Sequence, residues 1–307
     1  MRKVESMRID RRDFLKVASG ASLTLLGSDA LARPSEAEGD FENSLGILVD
    51  VALCVGCRKC ELACQEANGL PTQEPIEYDD KSIFEKHRRP TEKDITVVNR
   101  VENPYRPTKP YYLKVQCMHC NHPACVSACI VGALQKSPEG PVTYDAWKCM
   151  GCRYCMVACP FQVPAYEYGN ALDPQVRKCT FCFERIKENK RPACVQACPN
   201  EALTFGRRKD LLALAHERIM RYPEKYHDHV YGEQEIGGTS WMYISPVDFS
   251  KTELPELGPD PIPERTEKIQ HGVFKSFVPP IALYGLLGLA MFISRRDRRK
   301  GDHDERT

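Results

Sequence analysis

The chain is 307 residues long, room for more than one compact unit together with appendages at its ends. Its 43 lysines and arginines against 42 aspartates and glutamates leave a net charge of +1, which excludes the strongly basic footprint of a nucleic-acid-binding domain. Sixteen cysteines far exceed ordinary usage and must be disulfides, zinc ligands or iron-sulfur ligands, a choice that spacing decides.

In chain order, Arg11 and Arg12 precede a short, weakly apolar run from Val17 to Leu26 and then Ala30-Leu31-Ala32. A twin-arginine pair, a modest apolar region and an A-x-A site predict a Tat signal over 1–32, with the Tat translocase as its partner. ILV before Asp50 predicts a strand leading into a first cysteine group, Cys54, Cys57, Cys60 and Cys64. Residues 70–110 are rich in proline and charge and poor in apolar periodicity, an insertion that docks a partner or covers a site. Cys117, Cys120, Cys125 and Cys129 form a second group; VTY before Asp145 predicts a strand into the third, Cys149, Cys152, Cys155 and Cys159. The fourth is Cys179, Cys182, Cys194 and Cys198. Asp210 to Arg221 reads as an amphipathic helix and Trp241 to Ile244 as a short strand. Pro255, Pro259, Pro261 and Pro263 among acidic residues predict an extended tether.

Phe277 to Ile293 is free of charge and would span about 26 Å as a helix at ~1.5 Å per residue. Arg295, Arg296, Arg298, Arg299 and Lys300 follow it. The pattern predicts a transmembrane helix over 273–294 in the lipid bilayer and a basic cytoplasmic tail over 295–307. The body is then expected on the periplasmic side of the bacterial inner membrane.

The cysteines fall into four groups of four with none left over. The third lies in CMGCRYCMVACP, the ferredoxin run C-x2-C-x2-C-x3-C-P ending in Pro160, and the first has the same spacing without the proline. Two-residue gaps let a short loop wrap a cubane and present three thiolates to three irons. In two-cluster ferredoxins the fourth cysteine of a run ligates the other cluster, so runs work in pairs. Four runs therefore imply two ferredoxin-like units and four [4Fe-4S] clusters. Spacing leaves open which runs pair.

The groups also repeat one another: Ala63, Ala128, Ala158 and Ala197 each precede a fourth cysteine, and CVSACIVGAL matches CVQACPNEAL at six of ten positions. A multi-zinc interaction protein is the alternative from another class, but tetrahedral zinc needs only two C-x2-C knuckles and leaves the third cysteine unexplained. Cysteines three apart on one tight loop seldom suit a disulfide. His119 and His122 could replace thiolates as in a Rieske centre, yet all four cysteines of their group are present, so packing or hydrogen bonding is expected. Arg58, Lys59, Lys148, Arg153 and Lys178 flank the cysteines, either as solvated charge or as charge that favours reduced clusters.

With QCMHC at 116–120, GCRYCMVACP at 151–160, YGEQEIGGT at 231–239 and EKIQH at 267–271, the chain resembles the four-cluster iron-sulfur subunits of the dimethyl sulfoxide reductase and formate dehydrogenase type. Within that family it is most similar to the HybA-type iron-sulfur subunits of membrane-bound [NiFe] hydrogenases such as hydrogenase-2. The resemblance covers roughly residues 45–205. It implies that Cys54, Cys57, Cys60 and Cys198 hold one cluster, and Cys64, Cys179, Cys182 and Cys194 a second. Cys117, Cys120, Cys125 and Cys159 would hold a third, and Cys129, Cys149, Cys152 and Cys155 a fourth.

The expected fold is then α+β: two ferredoxin-like [4Fe-4S] units, one nested within the other, with a C-terminal transmembrane helix. The outer unit takes 45–69 and 175–206, the inner 111–174, followed by an extension over 207–250 and the linker over 251–272. The implied role is non-catalytic electron relay between the small and large subunits of a periplasmic hydrogenase and an integral-membrane, quinone-reactive subunit. The same relay serving a molybdopterin oxidoreductase or formate dehydrogenase is the nearest alternative. No G-x-G-x-x-G fingerprint is present, so a catalytic cofactor is expected on another chain.

Overall fold

Leu45–Asp50 (β1) is the strand that LGILVD predicts, buried almost throughout. It is central in a three-stranded sheet, antiparallel to Leu203–Arg207 (β8), with Val49 opposite Leu203, and parallel to Trp241–Ile244 (β9), with Ile47 opposite Trp241. The computed structural model describes residues 41–265 and, beyond them, residues 284, 285, 287, 288 and 291. The chain divides into a body, Ala37–Val273, and a second unit of Met1–Glu36 and Phe274–Thr307.

Both faces of β1 are covered, which explains its unbroken apolar run. Ile47 and Val49 join Trp241, Tyr243 and Phe181 in the main core. Leu48 faces the other way, with Met242 and Ile244, onto Leu211, Ala215 and Ile219 of the helix Arg208–Arg221. That spacing of four is the buried stripe of one helix face.

The remaining strands form two-stranded antiparallel hairpins. Thr96–Val101 (β2) pairs with Tyr111–Gln116 (β3), Leu134–Lys136 (β4) with Val142–Tyr144 (β5), and Ala165–Tyr166 (β6) with Val176–Arg177 (β7). Short helices accompany the cysteine runs: Lys59–Ala67 (α1), Ala124–Ser127 (α2), Tyr154–Ala158 (α3), Phe183–Lys187 (α4) and Ala193–Gln196 (α5). α1 packs against α5, and α2 against α3. The first run therefore lies beside the fourth and the second beside the third; β1 enters the first run as β8 leaves the fourth.

The segment 70–110 is bound to the body by its charges. Arg88 donates to the buried Glu61 at 2.6 and 3.1 Å and to the Val98 carbonyl, Arg89 to the Phe161 carbonyl, and Lys81 to the Gly56 carbonyl. Farther on, the Ile236 and Gly237 amides donate to the Gly258 and Pro259 carbonyls at 2.8 and 2.7 Å, so the proline-rich stretch lies against the body at these points.

The expected transmembrane helix over 273–294 is corrected. No helix among the described residues is long and apolar enough to cross a membrane. Most of that span lies outside the described residues, as do the expected Tat signal and basic tail. The periplasmic, membrane-anchored location and the bilayer contact rested on that helix and fall with it; the α+β fold stands.

Candidate metal centres

In all four runs the residue just before the second cysteine has a left-handed backbone: Gly56 (φ 65), His119 (φ 49), Gly151 (φ 70) and Phe181 (φ 58). Such a residue in a tight turn brings successive amides to one side, making a nest for negative charge. Two positions require glycine twice over. A Cβ on Gly56 would lie 2.6 Å from the Tyr112 ring, and one on Gly151 2.8 Å from Tyr166 Oη. His119 and Phe181 adopt the same sparsely populated conformation with full side chains and are buried edge-on against each other, centroids 5.0 Å apart. Asp50 and Asp145 make matching turns, accepting from the amides of Ala52 and Trp147 two residues on, at 3.0 and 3.1 Å.

All sixteen cysteines are free thiols. Burial, then neighbouring charge, moves most of them above the ordinary thiol range, and the neighbours map which sulfurs lie together. Cys54 is pushed up to about 11, with Cys198 and Cys57 beside it, and Cys60 is raised with Cys54 beside it. These four line one cavity. Cys64 is raised among Cys179, Cys194 and Cys182; Cys120 among Cys117, Cys125 and Cys159; Cys155, up to about 11, among Cys149, Cys129 and Cys152.

The donor set fits iron-sulfur cubanes. Backbone amides point at the sulfurs: Phe181 to Cys179 Sγ at 3.3 Å, Ala133 to Cys129 Sγ at 3.2 Å and Ala193 to Cys182 Sγ at 3.5 Å. Such bonds favour the anionic thiolate, the form that ligates iron.

Of the five flanking cations, Arg58 and Lys178 are buried, Arg58 paired with Glu61 at 3.1 Å. Lys59 and Arg153 are exposed, and Lys148 is half exposed and paired with Asp145. His119 Nδ1 accepts from the Val142 amide at 2.8 Å; burial, then Lys178 and Lys136, hold the imidazole well below its usual range, so it is neutral. His122 packs on Phe41, centroids 5.2 Å apart. Sequence reasoning missed Lys114 and Lys136. Lys114 shares a face of β3 with Tyr112 and Gln116, alternating with Leu113 and Val115, a pattern that signals a solvent face where the structure buries one.

The middle of the chain, residues 108–208, matches the 4Fe-4S dicluster domain. A protein of Nitratidesulfovibrio vulgaris (strain Hildenborough) is 51% identical over 262 residues, 84% of this chain and 70% of that protein. The hydrogenase-2 operon protein HybA of Escherichia coli O157:H7 is 37% identical over 331 aligned residues, 96% of this chain and 98% of its own. The chain belongs to the HybA family. The nitrate-inducible formate dehydrogenase iron-sulfur subunit of Escherichia coli K12 is 30% identical over 242 residues, 78% of this chain and 77% of its own. Membership of the HybA family makes the chain an iron-sulfur electron-transfer subunit of the hydrogenase or formate dehydrogenase type, as the resemblance implied.

Proposed function

We propose that the chain is an electron wire of four [4Fe-4S] clusters, linking the small and large subunits of a hydrogenase to a quinone-linked membrane subunit and performing no bond chemistry itself. Cys54, Cys57, Cys60 and Cys198 hold the first cluster, and Cys64, Cys179, Cys182 and Cys194 the second. Cys117, Cys120, Cys125 and Cys159 hold the third, and Cys129, Cys149, Cys152 and Cys155 the fourth. When bound, these groups supply one-electron steps. The chain holds them at fixed positions along one body.

The observation that carries the reading is the sorting of sixteen thiols into four neighbourhoods. Charge interactions also link one neighbourhood to the next, Cys60 with Cys194, Cys179 with Cys117 and Cys125 with Cys155, which supports a wire in that order. At the far end Cys152 is exposed, and beside it Trp147, Met150, Tyr154 and Val157 are 95%, 62%, 57% and 80% exposed. Apolar surface beside a terminal cluster suits the docking of a redox partner.

Anaerobically purified protein is expected to hold about sixteen irons by the ligand count. Substantial zinc without broad visible absorption would sink the reading. Cys198→Ser is expected to perturb the EPR signal of one cluster, that of Cys54, Cys57 and Cys60; an unchanged spectrum and iron content would refute the pairing.

A further inference from the structure

Lys114 is 2% exposed, and its ammonium makes no ion pair with any described carboxylate. Thr96 Oγ1 and Gln116 Oε1 accept from its Nζ at 2.6 and 2.9 Å, and Nζ stands 4.6 Å from the centroid of the Trp241 ring. Neutral acceptors and a ring face do not offset a buried cation, which costs several kcal/mol unless a counter-charge is near. At Arg58 and Arg88 a carboxylate supplies the counter-charge, since both meet Glu61. Around Lys114 the candidate counter-charges are sulfurs. It lines the cavity formed by Cys54, Cys57, Cys60 and Cys198, and its charge also reaches Cys194, Cys179 and Cys64 of the neighbouring set.

The anchoring is rigid as well as buried. The Tyr243 hydroxyl donates to the Lys114 backbone carbonyl at 3.0 Å and accepts from Gln116 Nε2 at 2.6 Å, tying the lysine's own strand to the central sheet. Resting on the four-cluster reading above, we infer that Lys114 is a fixed positive charge set beside the first and second clusters, which raises their reduction potentials. A cluster bound by four thiolates is anionic and gains one further negative charge on reduction, so a nearby fixed cation favours the reduced form.

The test is EPR-monitored redox titration of the full-length, anaerobically purified chain, with iron measured on every sample. Lys114→Met and Lys114→Gln remove the charge at similar length; Lys114→Arg keeps it. With iron unchanged, the two neutral variants are expected to shift the oxidised-to-reduced ratio of the two clusters at a set potential by about tenfold or more toward oxidised, about 59 mV for one electron. Lys114→Arg is expected to stay near the unsubstituted values. Unchanged potentials at full iron overturn the inference and leave the four-cluster reading intact. Loss of iron from both neutral variants assigns Lys114 a purely structural role and also overturns it. Iron far below about sixteen in the unsubstituted chain overturns the four-cluster reading and the inference with it.

Discussion

At Gly151 two constraints coincide: a backbone that L-residues rarely adopt and a tyrosine hydroxyl where a side chain would begin. Gly132 separates them, since it has φ +64 but nothing within 4 Å of a built Cβ. Gly132→Ala should cost only the left-handed penalty of ~1 kcal/mol, with iron unchanged. Gly151→Ala should displace Tyr166, open the third run and remove about four of about sixteen irons. Equal iron in the two variants would show that the contact is unimportant. The spacing of the four runs was legible in the sequence; the left-handed backbone before each second cysteine was not, because nothing in the identity of His119 or Phe181 announces it. Lys114 was hidden for a related reason: alternation along a strand reports which residues share a face, not whether that face meets water or another part of the chain.

At the scale of elements, the helix Arg208–Arg221 and β9 lie where the sequence predicted them, because 3.6-residue periodicity and an aromatic, β-branched run are strong local signals. Their integration was not visible. Arg208 donates to the carbonyls of Thr239, Gly232 and Glu233, and Thr239 bridges to Cys120, so the extension helps frame the second run. In 70–110 the absence of periodicity concealed β2, whose burial is supplied by its partner β3 and by Glu61, which accepts from the Val98 amide at 2.6 Å. Asp50 links sheet to helix, accepting from Tyr226 Oη at 2.7 Å and Arg218 Nη1 at 2.9 Å. Burial, then the bond to Asp50, raises the Tyr226 phenol above its usual 10.0. A raised folded value means that its contribution is whole below pH ~10 and is lost as pH rises beyond. Tyr226→Phe should therefore lower stability by ~1.5 kcal/mol near neutrality, and the gap to the unsubstituted protein should narrow above pH ~10 in urea unfolding. A gap that widened there would contradict the assignment.

For the whole molecule, four runs could be counted in the sequence, but spacing could not decide which of them meet. That depends on long-range pairing, β1 with β8 and α1 with α5, which no local window contains. The choice of catalytic partner also belongs at this scale. The match to HybA covers 96% of the chain and that to the formate dehydrogenase subunit 78%, and the proposed hydrogenase partner is the reading that a metal assay can test. A complex isolated through a tag on this chain should carry nickel in a partner subunit; molybdenum without nickel would move the assignment to a molybdopterin enzyme.

The pairing of Val49 with Leu203 has a consequence in time. A ribosome working at roughly 5–20 residues per second releases Cys54, Cys57, Cys60 and Cys64 several seconds before Cys198 is made. During that interval the early thiols lack partners, while the runs between them can already close on each other. Biogenesis would thus proceed from the inside outward, and whatever loads or guards the first run has to wait for the last.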